Sequence, residues 1–206
     1  FAYSPNRWPV EPPGMSEVMQ RYYDELAMLC EQLLSLMARG LGMSADTFAS
    51  SIDRHTSALR LLHYPHVEPS SVASGQLRAG AHSDYGTLTL LRHDGAPGGL
   101  EVRGADDGWH PVPAEEGAYV VNIGDALERW TAGRWRSTLH RVQVPSPDSG
   151  PHERQSIAFF LRIGMQLLRC STLAGLPMEK FRHRSPQGGI SWSGSSAPSE
   201  GNDARS

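Results

Sequence analysis

Short β-type segments separated by turn residues dominate the chain after residue 55, and this pattern constrains the fold more than any other feature. Turns are marked by His93-Asp94-Gly95 and by Asp106-Asp107-Gly108. Many short strands with such turns are typical of a β-sandwich or jelly roll. Seven strands are predicted, at residues 57–64, 77–82, 87–92, 100–103, 118–123, 138–144 and 154–162.

A helical segment precedes these strands. After a proline-rich lead-in over residues 1–14, apolar residues recur every three or four positions from Glu17 to about Arg39. This is the spacing of a long amphipathic helix. We expect Ser16 to cap it and Ser44 to cap a short helix that follows. The residues themselves therefore predict a mainly β fold with helices packed on one face.

The composition argues against two classes of binding partner, nucleic acids and membranes. The 19 basic and 22 acidic residues give a formal charge of −3, and a nucleic-acid partner is not expected because binding phosphates requires a basic surface. No run approaches the roughly 18 apolar residues of a membrane span, so no membrane partner is expected. Cys30 and Cys170 form no metal-type pair, which favours a reduced, cytoplasmic protein. No oligomeric state is predicted.

Three residues are candidates for a metal site. His82 and Asp84 are two residues apart, so on an extended strand their side chains point to the same face. A His-x-Asp pair alone is also typical of a turn with a surface histidine. His140 lies in a segment that reads as a core strand. Two imidazoles and one carboxylate form the facial triad of non-haem Fe(II), which leaves positions for O2 and a co-substrate.

A cationic strand end is the second candidate site. Arg154 and Ser156 begin an apolar strand and alternate onto one face. A guanidinium beside a hydroxyl suits a buried carboxylate, which needs charge-assisted hydrogen bonds when it leaves water. A surface salt bridge at a strand end is the alternative interpretation.

Taken in order, these motifs resemble a known family. His82-Ser83-Asp84, His140 and Arg154-Gln155-Ser156 are similar to the His-x-Asp…His…Arg-x-Ser signature of 2-oxoglutarate/Fe(II)-dependent oxygenases of the isopenicillin N synthase-like group. The resemblance extends over roughly residues 8–165. Further stretches that resemble the group are residues 85–91, 98–102, 121–125 and 135–142.

The resemblance implies a fold, a reaction and a set of ligands. The fold would be a double-stranded β-helix (jelly roll) core with a long N-terminal helix packed on it. The reaction would be the oxidation, most commonly hydroxylation, of a C–H bond of a small-molecule metabolite, with O2 and 2-oxoglutarate consumed and succinate and CO2 released. By the same resemblance, His82, Asp84 and His140 are implied as the catalytic Fe(II) ligands.

The resemblance also implies a co-substrate site. Arg154 and Ser156 would hold the distal carboxylate of 2-oxoglutarate, and Tyr64 would complete that site. Leu62 stands where the family often has Asn, so one polar contact near the co-substrate is expected to be absent. Counting by twos from Arg154 brings Phe160 and Arg162 onto the same face.

We therefore expect Arg162, Phe160 and Leu91 to border the substrate pocket, with Arg162 binding a substrate carboxylate or phosphate. Core packing of Phe160 and Leu91, and a solvent-exposed Arg162 beyond the strand end, are the alternatives.

The resemblance also suggests a domain organisation. Residues 1–54 are expected to be a lead-in and helical support, residues 55–165 the oxygenase core, and residues 166–206 a C-terminal segment that is flexible after about residue 185. Members of the group carry a substantial region before the long helix, which this sequence lacks.

Three rival functions stay open at this point. The first is an Fe(II) oxidase or cyclase of the same fold in which the substrate's own carboxylate takes the arginine site. The second is desaturation or ring closure with 2-oxoglutarate still consumed. The third is a non-catalytic β-sandwich binding module.

Overall fold

The computed structural model describes residues 5–96, 99–144 and 153–163. The predicted segment 166–206 lies outside these residues. The helices are α1 (Met15–Gly40), α2 (Ala49–Ile52) and α3 (Asp125–Trp130), and a short 3₁₀ helix covers Pro69–Ser71. The strands are β1 (Ala58–Tyr64), β2 (Leu77–His82), β3 (Leu88–His93), β4 (Leu100–Arg103), β5 (Trp109–Pro111), β6 (Val120–Ile123), β7 (His140–Gln143) and β8 (Arg154–Leu161).

The strands form two antiparallel sheets of four. The first sheet has the order β1-β8-β3-β6 and the second has the order β2-β7-β4-β5. Apart from the consecutive pair β4 and β5, neighbouring strands are distant in sequence, as in a jelly roll. The predicted mainly β fold with a long N-terminal helix is confirmed.

Strand β8 has buried residues on both faces and lies in the interior of the first sheet. Phe159 and Leu161 belong to a hydrophobic core that also contains residues of α1. Arg154 and Ser156 alternate onto the opposite face and are also buried. Two polar side chains are thus buried on one face of a strand whose other residues are mostly apolar. Buried polar groups need hydrogen-bonding partners.

Helix α1 covers one face of the first sheet. Leu26, Cys30, Leu34 and Ala38 recur every fourth residue and are its buried positions, as expected for the apolar stripe of an amphipathic helix. Burial raises the pKa of the Cys30 thiol to about 12, so this cysteine is an inert packing group. Among the described residues, no helix is long and apolar enough to cross a bilayer.

Both predicted serine caps are wrong. Helix α1 begins at Met15 after Gly14, whose positive φ of 77° turns the chain. Ser16 lies inside the first turn and donates to the Glu17 carboxylate. Helix α2 begins only at Ala49, and its N-cap residue is Phe48. Ser44 lies earlier in a turn that is closed by a Thr47 side-chain bond to the Ser44 carbonyl.

Sequence patterning predicts the strands to within a few residues but misses β5. This strand is three residues long and pairs only with β4 among the described strands. It ends at Pro111, which lacks an N–H for a second neighbour. The Trp109 ring is covered by Arg141, whose Cζ atom lies 4.2 Å from the ring centroid. The contact between Arg141 and Trp109 therefore stabilises β5, and the periodicity of apolar residues in the sequence does not predict it.

Candidate functional site

The predicted triad converges on one point at the end of the second sheet. His82 ends β2, His140 begins β7, and the two residues are cross-strand partners. Asp84 follows in the turn after β2, and its Oδ1 lies 3.9 Å from the Nε2 of His140. One ligand atom from each residue lies within 4.8 Å of the others.

Each histidine is oriented by a backbone carbonyl. The Nδ1 of His82 lies 2.8 Å from the carbonyl oxygen of Gly80, and the Nδ1 of His140 lies 3.1 Å from that of Thr138. A carbonyl can only accept, so each Nδ1 donates its proton and each Nε2 keeps a lone pair. This arrangement fixes the tautomer that binds a metal through Nε2.

The Asp84 carboxylate is held by two donors from the first sheet. Asp84 is 7% exposed, and its Oδ2 accepts hydrogen bonds from Thr89 Oγ1 at 2.6 Å and from Asn122 Nδ2 at 2.8 Å. These bonds leave Oδ1 facing His140. Thr89 and Asn122 are cross-strand partners in β3 and β6. Sequence reasoning missed both roles, because their proximity to Asp84 follows only from strand pairing.

Two glycines allow the turn that carries Asp84 to approach the start of α3. A Cβ on Gly124 would overlap the Gly86 carbonyl oxygen, and a Cβ on Gly86 would overlap that of Leu161. The backbone N–H of Asp125 donates to the Asp84 carbonyl. Gly124 holds the N-cap position of α3, and the Asp125 carboxylate accepts a hydrogen bond from the Ser83 hydroxyl.

The donor set suits a divalent first-row metal. Two neutral imidazole nitrogens and one carboxylate oxygen point to the same region, and their other polar atoms are already hydrogen-bonded. This combination of nitrogen and oxygen ligands is the facial triad that non-haem Fe(II) sites use. The residues present therefore fit an iron ion.

The second predicted group lies deeper between the sheets. Arg154 and Ser156 are each 3% exposed, so the interpretation of Arg154 as a surface salt bridge is wrong. Tyr64 is the cross-strand partner of Arg154, and the Arg154 Cζ atom lies 5.2 Å from the Tyr64 ring centroid. Leu62 lies opposite Ser156, where it presents no polar atom.

Two further basic residues border this group, and sequence reasoning missed both. The Arg78 Cζ atom of β2 lies 5.8 Å from the Tyr64 ring centroid. His93 of β3 is buried and pairs with Ser156. Burial and the neighbouring Arg154 charge lower the pKa of His93. The register of β2 against β7 shifts between Ala79 and His82, so counting by twos from His82 gave no signal for the orientation of Arg78.

Two of the predicted substrate residues, Phe160 and Leu91, lie on the face of the first sheet that carries Arg154, and the third, Arg162, lies beyond it. Phe160 and Leu91 are half-buried, and Leu91 is the cross-strand partner of Ala158. Arg162 is exposed and lies just beyond the end of β8, with its Cζ atom 5.8 Å from the Phe160 ring centroid. Arg60 of β1 was not anticipated and lies at the same distance from that ring.

A jelly roll that brings two histidines and one aspartate together near a buried arginine is typical of the non-haem iron oxygenases. The family model for the 2OG-Fe(II) oxygenase superfamily matches residues 55–163. The chain belongs to this family. The family resemblance drawn from the motifs is thereby confirmed at the level of the superfamily.

Relatives share the family but are longer. Validamycin A dioxygenase of Streptomyces hygroscopicus subsp. limoneus is 36% identical over 159 residues, covering 77% of this chain and 44% of the relative. Clavatol oxidase of Penicillium crustosum is 40% identical over 169 residues, covering 78% and 48%. The chain therefore spans about half the length of these curated relatives.

Solved structures of longer proteins also resemble this chain. A full-length Neurospora crassa protein in complex with alpha-KG and thymine has a TM-score of 0.73 and 37% identity, with 78% of this chain and 50% of that chain covered. JOX2 in complex with 2OG, Fe and JA has a TM-score of 0.67 and 33% identity, with 76% and 45% covered.

Proposed function

We propose that the chain is an Fe(II)- and 2-oxoglutarate-dependent dioxygenase that hydroxylates a C–H bond of a small-molecule metabolite. The observation that carries this proposal is the convergence of His82 Nε2, His140 Nε2 and Asp84 Oδ1 on one point. When bound, the iron supplies the oxygen chemistry that couples decarboxylation of 2-oxoglutarate, giving succinate and CO2, to oxidation of the substrate.

The protein's own residues orient and shield the reactants. His82, Asp84 and His140 are the metal ligands in this proposal, and Thr89 and Asn122 keep Oδ1 of Asp84 directed at the metal. Arg154 and Ser156, with Tyr64, hold the distal carboxylate of 2-oxoglutarate away from water, where charge-assisted hydrogen bonds are strong.

The proposed substrate-binding residues are Arg162, Phe160 and Leu91. We add Arg60 to them. Arg60 and Arg162 both lie 5.8 Å from the Phe160 ring. A ring flanked by two guanidinium groups suits a small acidic or planar substrate. In support, relatives carry names of small-molecule oxygenases, and the Neurospora crassa protein was crystallised with thymine.

Finer assignments also belong to the proposal. We place the chain in the isopenicillin N synthase-like group on its motif order, and in the cytoplasm on its cysteine usage. Residues 55–165 would be the oxygenase core, residues 1–54 its helical support and residues 166–206 a C-terminal segment.

The test is an anaerobic titration of the purified chain with Fe(II) and 2-oxoglutarate. A weak visible absorption band is expected only when both are present, followed by succinate release once O2 and a metabolite mixture are added. Asp84→Ala is expected to abolish both signals, while Asp53→Ala, which removes an exposed carboxylate, should retain them.

The rival functions predict other results. Substrate oxidation without succinate release would favour an oxidase that holds its substrate at Arg154. Failure to bind Fe(II) under anaerobic conditions would leave a binding module without catalysis, and the proposed function would be wrong.

A further inference from the structure

Arg78 is a half-buried arginine that the proposed function does not yet use. Its Nη2 donates to the Pro65 carbonyl oxygen at 2.8 Å. Its Nη1 is buried and has no hydrogen-bond partner among the described residues. An unpaired guanidinium N–H away from water costs free energy, so this donor is a candidate for binding a ligand.

The surroundings of Arg78 carry an excess of positive charge. The Arg78 and Arg154 Cζ atoms lie 5.8 Å and 5.2 Å from the same Tyr64 ring centroid. Burial, followed by the Arg154 charge, lowers the pKa of Arg78. Within residues 5–96, 99–144 and 153–163, neither guanidinium has an aspartate or glutamate oxygen within 4.0 Å. Two neighbouring cations, one buried and one half-buried, without a carboxylate partner in the described part of the chain, fit an anionic ligand.

We propose that Arg78 is a second arginine that binds the distal carboxylate of 2-oxoglutarate, opposite Arg154. This inference rests on the proposed function. A carboxylate has about four lone-pair positions, so it can accept from two guanidinium groups and a hydroxyl together. Leu62 offers no polar atom beside Ser156, and Arg78 supplies the missing donor from the opposite sheet.

The arrangement also ties the two sheets to the co-substrate. Arg78 belongs to β2 of the second sheet, whereas Arg154 and Ser156 belong to β8 of the first. A bound dicarboxylate would therefore bridge both sheets and relieve the repulsion between the two arginines.

The test measures dicarboxylate binding separately from activity. Glutarate is titrated calorimetrically into the metal-free chain, and 2-oxoglutarate and 2-oxobutyrate are titrated into the Ni(II)-loaded chain. 2-Oxobutyrate keeps the keto acid and lacks the distal carboxylate. Arg78→Met is expected to weaken binding of glutarate and 2-oxoglutarate about tenfold or more and to leave 2-oxobutyrate unchanged.

Two further variants keep the test decisive. Arg78→Gln keeps a polar side chain at this position but removes the charge, so it should show the same selective loss even if Arg78→Met folds poorly. Arg54→Met removes an arginine whose side chain is 83% exposed and should leave all three affinities unchanged.

The outcomes separate this inference from the proposed function. Unchanged glutarate and 2-oxoglutarate binding in a folded Arg78→Gln variant would overturn it and leave Arg78 as a structural contact of Pro65. If the wild-type chain binds glutarate but never consumes 2-oxoglutarate, the proposed function fails while the role of Arg78 in anion binding stands. If it binds neither acid, both proposals fail.

Discussion

The side chains that hold the Asp84 carboxylate come from two strands of the opposite sheet. Thr89 and Asn122 occupy one oxygen and thereby aim the other at the two imidazoles. Groups that orient a metal ligand contribute to metal affinity without touching the ion. The geometry of the triad therefore depends on β3 and β6 as much as on the strands that carry the ligands.

Asn122→Leu should weaken metal binding about 10- to 100-fold, because it removes a donor that orients Asp84 and leaves a residue of similar size. Competition with a coloured chelator, using Co(II), measures the change. Gln143→Leu removes an amide that bonds Glu101 in the second sheet and should leave the affinity unchanged. Equal affinities in Asn122→Leu and wild-type chains would contradict this role.

The free energy of unfolding should decrease at acidic pH because His93 takes up a proton less readily in the folded chain than in the unfolded chain. Burial and Arg154 lower its pKa, against a smaller opposing effect of Asp94. The unfolded chain, in which the pKa is about 6.5, then binds the proton first. The stabilising contribution is therefore present above about pH 6.5 and is lost as the pH falls from there through the lower pKa of the folded chain.

Urea unfolding between pH 8 and pH 5 tests this, with His93→Asn as the comparison because an amide oxygen can still accept from the Gly95 N–H that His93 binds. The wild-type chain should lose more stability over this range than the variant. Parallel curves for the two chains would show that His93 does not contribute.

At the scale of elements, close backbone contact between the β2–β3 turn and the start of α3 positions Asp84. Gly124 lies against the carbonyl oxygens of Gly86 and Asp84. The backbone N–H of Asp125 donates to the backbone carbonyl oxygen of Asp84 at 2.7 Å. The main chain of Asp84, a proposed metal ligand, is thus supported by a helix that contributes none of the three proposed ligands.

Gly124→Ala should destabilise the fold by about 1–3 kcal/mol, because the added methyl would overlap backbone atoms that cannot move independently. It should also weaken metal binding by displacing Asp84. Gly40→Ala is the control: its Cβ would meet only the Trp135 ring at 3.7 Å, and alanine suits a helix better than glycine. Thermal unfolding and Co(II) titration measure both effects, and full stability of Gly124→Ala would contradict the contact.

At the scale of the whole molecule, the three proposed metal ligands and the residues that orient them connect the two sheets. His82 and His140 belong to the second sheet, and Asp84 is bonded to Thr89 and Asn122 of the first. A ligand that binds only the folded chain stabilises it in proportion to the logarithm of its concentration.

A divalent metal at about 100 times its dissociation constant should therefore stabilise the wild-type chain by about 2.7 kcal/mol. Removal of the metal with a chelator should reverse the gain. Asp84→Asn should show little or no gain, whereas the Asp106→Asn control, altered in an exposed turn, should respond like wild type. Thermal unfolding with and without Co(II) is the measurement, and an equal gain in Asp84→Asn would contradict the site.

Sequence patterning alone was sufficient for the repeated short strands, the amphipathic α1 and the triad motif, because these follow from local periodicity and side-chain chemistry. Helix starts were not predictable in this way. Gly14 and Phe48 hold the N-cap positions where serines were expected, since tertiary packing decided where each chain segment turns. The short strand β5 depends on its pairing with β4 and has no periodicity of its own.

By itself, the sequence determined which residue types were available: His82, Asp84 and His140 as a nitrogen and oxygen ligand set, and Arg154 with Ser156 as a carboxylate partner. Only the tertiary structure decided which atoms face the common point and which residues orient them. Thr89, Asn122 and Arg78 reach the site through strand pairing and the packing of the sheets. Such non-local contacts are decided by the burial of the whole core, so no local pattern encodes them.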